Sequence, residues 1–225
     1  MIKPVMSALV GGLMCYSVTE SASFRPVIVT AVSVLALVGM TACDSSSSGG
    51  GNACVEAGPY SVGDVGPSAG YIFFVDDDND YEFTYLEAAP KDLQGPTDDL
   101  HEWAFSPFWV LQTDNGVGTG ESNTARILLR MEEEDQTSHA IERTVTAAIG
   151  GCDDWFVPSE GELDLMHQNL FQEDLGDFTE SFDYWSSTET AIDRASGQQF
   201  GGSMDGYQND WLKTFRFRVR PARSF

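Results

Sequence analysis

Positive charge is what this 225-residue chain has least of: 12 Lys and Arg stand against 35 Asp and Glu, for a formal net charge of -23. Nucleic-acid binding needs clustered Lys and Arg to displace counterions, so that partner class is excluded, and anionic polymers in general are repelled. Cationic ligands, metal ions and neutral glycans stay open. Histidine is also scarce, and the three residues His101, His139 and His167 form no recognisable arrangement with a nucleophile. There is no internal repeat. What the chain does have is 42% hydrophobic residues and five Trp, enough for a packed core, which excludes a disordered polypeptide.

A long uncharged run, residues 26–42 (PVIVTAVSVLALVGMTA), stands directly after Arg25. A basic residue before an apolar stretch of about 17 residues has the form of an export signal and is marginal as a membrane span. The run ends in Met40-Thr41-Ala42-Cys43, which resembles a lipobox, so Cys43 is the expected lipidation site. Residues 1–42 then form a signal peptide, for which Met6 and Met14 are alternative starts. Residues 43–53, with Ser45 to Ser48 and three glycines, form a flexible tether, and residues 54–225 the folded domain. A retained membrane anchor is the alternative; the cysteine sitting where the apolar run stops weighs against it. Several acyl chains on one cysteine make attachment effectively permanent. The expected location is the bacterial cell envelope, facing away from the cytoplasm, and Asp44 resembles a signal for retention at the inner membrane. With Cys15 lost and Cys43 lipidated, Cys54 and Cys152 remain as an even pair in an oxidising compartment, expected to form a disulfide. Two separate buried thiols are the alternative.

Along the domain, residues 70–75 and 81–88 are aromatic-rich apolar runs flanking the turn-forming residues 76–80, a hairpin pattern that Pro90 ends. Residues 91–120 are loop-like. Ser122 or Asn123 can cap a helix carrying Ile127, Leu128 and Met131, and a second helical pattern runs from Ser138 through Ile141, Val145 and Ala148 to Gly150-Gly151. Ser159-Glu160-Gly161-Glu162 is a capping box opening a third helix with Leu163, Met166 and Leu170 on one side. Residues 184–188, 198–204 and 213–220 are candidate strands. The last alternates Phe215, Phe217 and Val219 against Arg216, Arg218 and Arg220, the pattern of a half-buried strand. A hairpin, then helices, then strands gives an α+β fold.

Several motifs carry candidate chemistry. Asp76, Asp78, Asp80 and Glu87 fall at positions 1, 3, 5 and 12 of a calcium-loop spacing, but Tyr81 stands where glycine is needed and the flanks are strands. Calcium is therefore the one ion considered, with a solvated turn tip as the default; no organic cofactor is expected. Asn209-Asp210 near Gly206 is a lesser cation candidate. Gly66-Pro67-Ser68-Ala69-Gly70 matches a nucleophile-elbow pattern yet leads into a strand, which argues against catalysis. The turn at residues 116–120 lacks the Lys-Ser/Thr ending of a phosphate loop and places Glu121 at the helix start, so it reads as structural. Lys213, Arg216, Arg218, Arg220 and Arg223 crowd the final strand and are expected to pair with carboxylates. Aromatic residues on loops either pack back or meet a partner, which makes Trp103, Phe105, Trp109, Tyr207 and Asn209 candidate ligand contacts.

Six blocks together resemble the Lcl C-terminal domain family, named for a bacterial collagen-like adhesin. They are Ala69-Gly70-Tyr71-Ile72-Phe73-Phe74-Val75, Tyr85-Leu86-Glu87-Ala88-Ala89-Pro90, Gly118-Thr119-Gly120-Glu121-Ser122-Asn123-Thr124, Asp154-Trp155-Phe156-Val157-Pro158-Ser159-Glu160-Gly161-Glu162-Leu163, Tyr184-Trp185-Ser186-Ser187-Thr188-Glu189 and Val219-Arg220-Pro221-Ala222-Arg223-Ser224-Phe225. The resemblance implies a fold related to C-type lectins and to formylglycine-generating enzymes, a role in adhesion or ligand binding, and no catalytic residue. In these blocks Trp155, Trp185 and Leu86 read as core, as does Phe217 just before the last of them; Pro158 and Ser159 read as a helix start, and Gly118 with Gly120 as a tight turn. The resulting expectation is a lipid-tethered, lectin-like module that is not an enzyme. It would present residues 100–114, 191–197 and 201–209 to a glycan or to an extracellular or envelope protein. An enzyme on the formylglycine-generating scaffold and a purely structural envelope protein are the alternatives.

Overall fold

The structure, a computed structural model, describes residues 54, 58–105, 110, 113–135 and 140–225; the expected signal peptide, Cys43 and the tether lie outside them. In chain order the elements are β1 (Tyr71–Val75), β2 (Tyr85–Ala88), β3 (His101–Glu102), α1 (Gly120–Glu133), α2 (Ala140–Val145), α3 (Glu160–Asn169), β4 (Phe182–Ala191), β5 (Arg194–Phe200), β6 (Gln208–Leu212), β7 (Arg216–Phe217) and β8 (Ala222–Ser224). Strands pair antiparallel in three small sheets, ordered β1-β2-β8, β3-β7 and β4-β5-β6. The described residues therefore form a mixed α+β fold with three α-helices. Among them, no helix is long and apolar enough to cross a membrane.

The expected hairpin is β1 and β2, and its register slips between Ile72 and Phe74. That bulge breaks the strict alternation of a strand, so the neighbours Ile72 and Phe73 are both fully buried. Strand β4 is buried along most of its length because it separates two cores. Tyr184 packs on one side with Phe73, Leu86, Met166 and Phe200. Trp185 packs on the other with Trp103, Ile127, Ile141 and Val219. Successive side chains on a strand point to opposite faces, so a Tyr-Trp pair supplies both layers at once.

The capping box forms as expected: the Ser159 hydroxyl accepts from Glu162 N, and a Glu162 carboxylate oxygen accepts from Ser159 N at 2.8 Å. The first helix starts earlier than its cap residues suggest. Thr119 holds the cap position of α1, and Asn123 instead turns fully inward, where its amide donates to Asp114 O and to the Ser187 hydroxyl. Helix α2 is shorter than its apolar spacing predicts and stops at Val145. Ser138 and His139 lie outside the described residues.

The C-terminal segment departs most from the sequence pattern. It is not one amphipathic strand: only Arg216–Phe217 pair as β7, and β8 begins after Pro221, which has no N–H to give to a ladder. The predicted alternation also fails, since Phe215 is exposed while Arg220 and Arg223 are fully buried. Long-range carboxylates explain the inversion. Arg220 places Nε and Nη2 on Asp92 Oδ1 at 2.8 and 2.6 Å, and its Nη1 donates to the carbonyls of Ala89 and Gly176. The other Asp92 oxygen accepts from the Tyr184 hydroxyl at 2.9 Å and from Arg218 at 3.1 Å. Arg223 bridges Asp154 and the buried Glu87. Lys213 is held by Glu189, and Arg216 by Asp98. The expected pairing of all five C-terminal cations is thus met.

Cys54 and Cys152 are disulfide-bonded, 98 residues apart, and pack beside Ala89, Ile149 and Trp155. Closing a loop of that size stabilises a fold by about 5 kcal/mol on the chain-entropy account.

Removing Arg220 tests how far the fold depends on its charges. Arg220→Met leaves the Asp92 carboxylate buried beside Tyr184 with half its cationic partners gone, and equilibrium urea unfolding is expected to show a loss of about 3–5 kcal/mol. Adding Asp92→Asn should restore part of that loss, because the uncompensated charge disappears.

Candidate ligand-binding site

The acid-rich turn after β1 does not assemble the calcium spacing. Asp76 is nearly buried and caps its own turn, its two oxygens accepting from Asp80 N at 3.1 Å and Tyr81 N at 2.9 Å. Glu87, the twelfth position, sits on β2 with its side chain fully buried; Oε1 accepts from Ser68 N, the Ser68 hydroxyl and Gly70 N, and Oε2 faces Arg223. Asp78 and Asp80 stay exposed on the turn. The strand pleat and the Arg223 charge draw Glu87 inward, away from the aspartates. Among the described residues no group of three or more His, Cys, Asp or Glu is placed to hold a metal ion.

The same contacts explain the Gly66–Gly70 motif. A Cβ at Gly66 would lie 2.5 Å from the Glu87 carboxyl carbon, and one at Gly70 1.9 Å from Ala88 O, so the loop can wrap Glu87 only with glycine at both places. Ser68 is buried and donates to that carboxylate rather than to a histidine. Of the histidines, His101 donates from Nε2 to Leu93 O, and burial pushes its imidazole below the ordinary value. His167 is held by Asp205 at 2.8 Å and stacks on Phe171.

The expected aromatic contacts divide. Trp103 is fully buried and donates Nε1–H to Ser186 O at 2.7 Å, so it is core and not a ligand contact. Phe105 packs partly buried against the same core. Trp109, like Phe108, lies outside the described residues. Tyr207 is exposed just before β6, and Asn209 is half-buried within it. Residues 191–197 are largely taken up by the β4–β5 hairpin and do not form a free loop.

A different place has the shape of a binding site. Between the β1–β2 connection, the start of α1 and β8 lies a hollow of about 660 Å³, within the range of about 300–1,000 Å³ usual for ligand sites. Tyr81 is exposed at its edge and stacks on Phe83 with ring centroids 5.1 Å apart; Phe156 adds apolar surface. Asp80, Glu82 and Glu121 bring carboxylates to the same wall, and among the described residues none that lines it is basic. The Asp76 cap fixes where Tyr81 leaves the turn. Gly118, at φ +82°, lets that ring lie close, since a Cβ there would come within 2.8 Å of it.

Glu162 forms the buried side of this hollow. Burial holds its carboxyl above the ordinary range, against the downward pull of the N–H groups of Ser159, Gly120 and Gly118. Those three bonds tie the 116–120 turn to the start of α3, so the turn is structural, as its sequence suggests. Tyr81, Phe83 and Glu121 were not among the expected contacts; the alternation of aromatic and acidic residues in Tyr81-Glu82-Phe83 is the local signal that marks them.

No family model matches the chain, and no curated protein matches it. Among solved structures, a fimbrial protein from Bacteroides ovatus is 16% identical with a TM-score of 0.39; the match covers 63% of this chain and 36% of that one. The chain thus spans about a third of that protein's length, and so slight a likeness assigns neither fold nor role.

Exchanging Glu162 for its amide tests the turn that shapes the hollow. In Glu162→Gln an NH2 group replaces one acceptor and faces a backbone N–H, leaving that donor unanswered. Thermal and urea unfolding should show a loss of about 1–3 kcal/mol, with increased amide exchange at Gly118 or Ser159.

Proposed function

We propose that this chain is a lipid-anchored, extracytoplasmic binding module of the bacterial cell envelope. In this reading it is moored through Cys43, has a C-type-lectin-like fold of the Lcl C-terminal kind, and engages a glycan or an envelope or extracellular protein in adhesion. The observation that carries the binding role is the Tyr81 hollow, where an aromatic stack and several carboxylates converge on one concave surface. Aromatic faces with a few placed polar groups are how protein surfaces hold sugars and side chains without reacting with them.

Two further observations support the reading. The Cys54–Cys152 disulfide suits an oxidising compartment. It also joins the only two cysteines left once Cys43 carries lipid, which leaves no thiol for cysteine chemistry on a formylglycine-generating scaffold. The six sequence blocks supply much of the scaffold, including Leu86, Trp155, Trp185 and the Ser159 capping box.

Mass analysis of the mature N-terminus should find diacylglycerol on Cys43 with residues 1–42 removed; a retained leader or a bare cysteine overturns the anchor. For binding, the full mature protein is applied to a glycan array and to a panel of envelope and matrix proteins, with and without calcium. A specific ligand should appear, and Tyr81→Ala should weaken it at least about tenfold, the loss of one buried aromatic anchor. Equal binding by wild type and Tyr81→Ala would remove the hollow from the function.

A further inference from the structure

We propose that the ligand of the Tyr81 hollow is a basic protein segment, held by an arginine or lysine side chain set between the aromatic stack and the carboxylates. This rests on reading the hollow as the binding site, and goes on to choose among its ligands.

This molecule holds its own cations in one recurring way. Arg220 lies 3.9 Å over the Phe178 ring while binding Asp92, and Arg218 lies 4.7 Å over Phe182 with the same aspartate. Arg223 lies 4.6 Å over Phe225 and binds Asp154 and Glu87. Lys213 lies 4.7 Å over Trp103 and binds Glu189. In each case one cation is shared by a ring face and a carboxylate. The hollow presents the same pair of walls, with Tyr81 and Phe83 as rings and Asp80, Glu82 and Glu121 as carboxylates. Among the described residues, none that lines it supplies the cation.

Hydrogen-bonding capacity points to the same ligand. Ionised carboxylates only accept, and a guanidinium or ammonium only donates, so the two match without remainder. A sugar ring brings hydroxyls that need donors as well. The two serine hydroxyls on this wall are already engaged, Ser122 Oγ donating to Thr119 O and Ser224 Oγ to Glu121, so the Tyr81 hydroxyl stands against three carboxylates as the remaining side-chain hydroxyl of the described lining. A donor-only side chain is therefore the better complement. The hollow, at about 660 Å³, has room for a few residues of peptide rather than a single ion.

A strongly acidic protein attracts any polycation, so the test must separate the site from the field. The full mature protein in detergent micelles is titrated with tri-arginine amide, tri-citrulline amide (the neutral isostere) and a glucosamine trimer. The protein is tested as wild type and as Tyr81→Phe, Tyr81→Leu, Glu121→Gln and Glu173→Gln, the last an exposed carboxylate outside the hollow. Tri-arginine should bind at least about tenfold more tightly than tri-citrulline, and Tyr81→Leu and Glu121→Gln should each weaken it several-fold. Tyr81→Phe and Glu173→Gln should leave it within about twofold, since the ring face and the site charges persist.

Equal losses from Glu121→Gln and Glu173→Gln, with none from Tyr81→Leu, would mean diffuse attraction and overturn the proposal. So would equal binding of tri-citrulline, or no binding of tri-arginine. Tighter, Tyr81-dependent binding of the glucosamine trimer would put an amino sugar in the site and overturn the choice of a protein partner. If an array glycan binds through Tyr81 while tri-arginine does not, this inference falls and the binding module stands. If no ligand in either experiment depends on Tyr81, both fall.

Discussion

The fold is organised around cations that its last residues carry into the interior. Arg220 and Arg223 are fully buried, and each is matched by a carboxylate far earlier in the chain: Asp92 for the first, Glu87 for the second. Taking such charges out of water costs several kcal/mol per ion, so each pair persists only because further hydrogen bonds complete it. Asp92 also accepts from Tyr184, Thr179 and Arg218. Glu87 also accepts from the Gly66–Gly70 loop. The chain end is thereby tied to β2, to the segment after it and to β4. Geometry of this kind is specific, because any other register would leave a charge buried without its partner.

That constraint also sets the proposed binding surface. Arg223 and Glu87 hold β8 against β2, and Phe225 O accepts from both Thr84 N and Tyr85 N at the end of the β1–β2 connection. The connection is fixed at its other end by Asp76. Tyr81 and Phe83 therefore sit on a span pinned at both sides, and the start of α1 is brought to them by Glu162 through the 116–120 turn. The rings face a wall positioned by buried polar contacts rather than by a mobile loop, which lowers the ordering cost of taking a ligand.

How much of this can be read from sequence follows from how local each cause is. The capping box at Ser159 and Glu162 needs only four residues and is visible as such, and so is the β1–β2 hairpin; the pairing of Cys54 with Cys152 is legible only on the expectation that Cys15 is removed and Cys43 lipidated. The C-terminal arginines mislead because an alternating Phe/Arg run looks half-exposed until Asp92 and Glu87, more than a hundred residues away, are known to meet it. Trp103 misleads for a related reason: in a segment with little regular structure nothing local says that its indole N–H will find Ser186 O. Strand β6, with the polar sequence Gln208-Asn209-Asp210-Trp211-Leu212, has no apolar alternation to announce it and pairs on one side only. The Tyr81 hollow is drawn from the first hairpin, the start of the first helix and the last strand, so only its Tyr81-Glu82-Phe83 fragment is legible alone.

The imbalance of charge has a structural consequence beyond solubility. Of the ten basic residues that follow residue 42, the five nearest the C-terminus are all engaged by carboxylates of the same fold. The carboxylates thus fall into two populations. Those such as Glu87 and Asp92 spend their charge inside, where a guanidinium meets them. Those such as Asp80, Glu82 and Glu121 face outward beside aromatic rings, with no cation among the described residues that line the hollow. The outward field attracts positive partners from a distance and is screened beyond about 8–10 Å at physiological salt, so it speeds encounter without choosing the partner. Choice must come at contact range, where ring faces and carboxylates impose a geometry that diffuse charge does not, and the hollow beside Tyr81 is where this surface brings the two together.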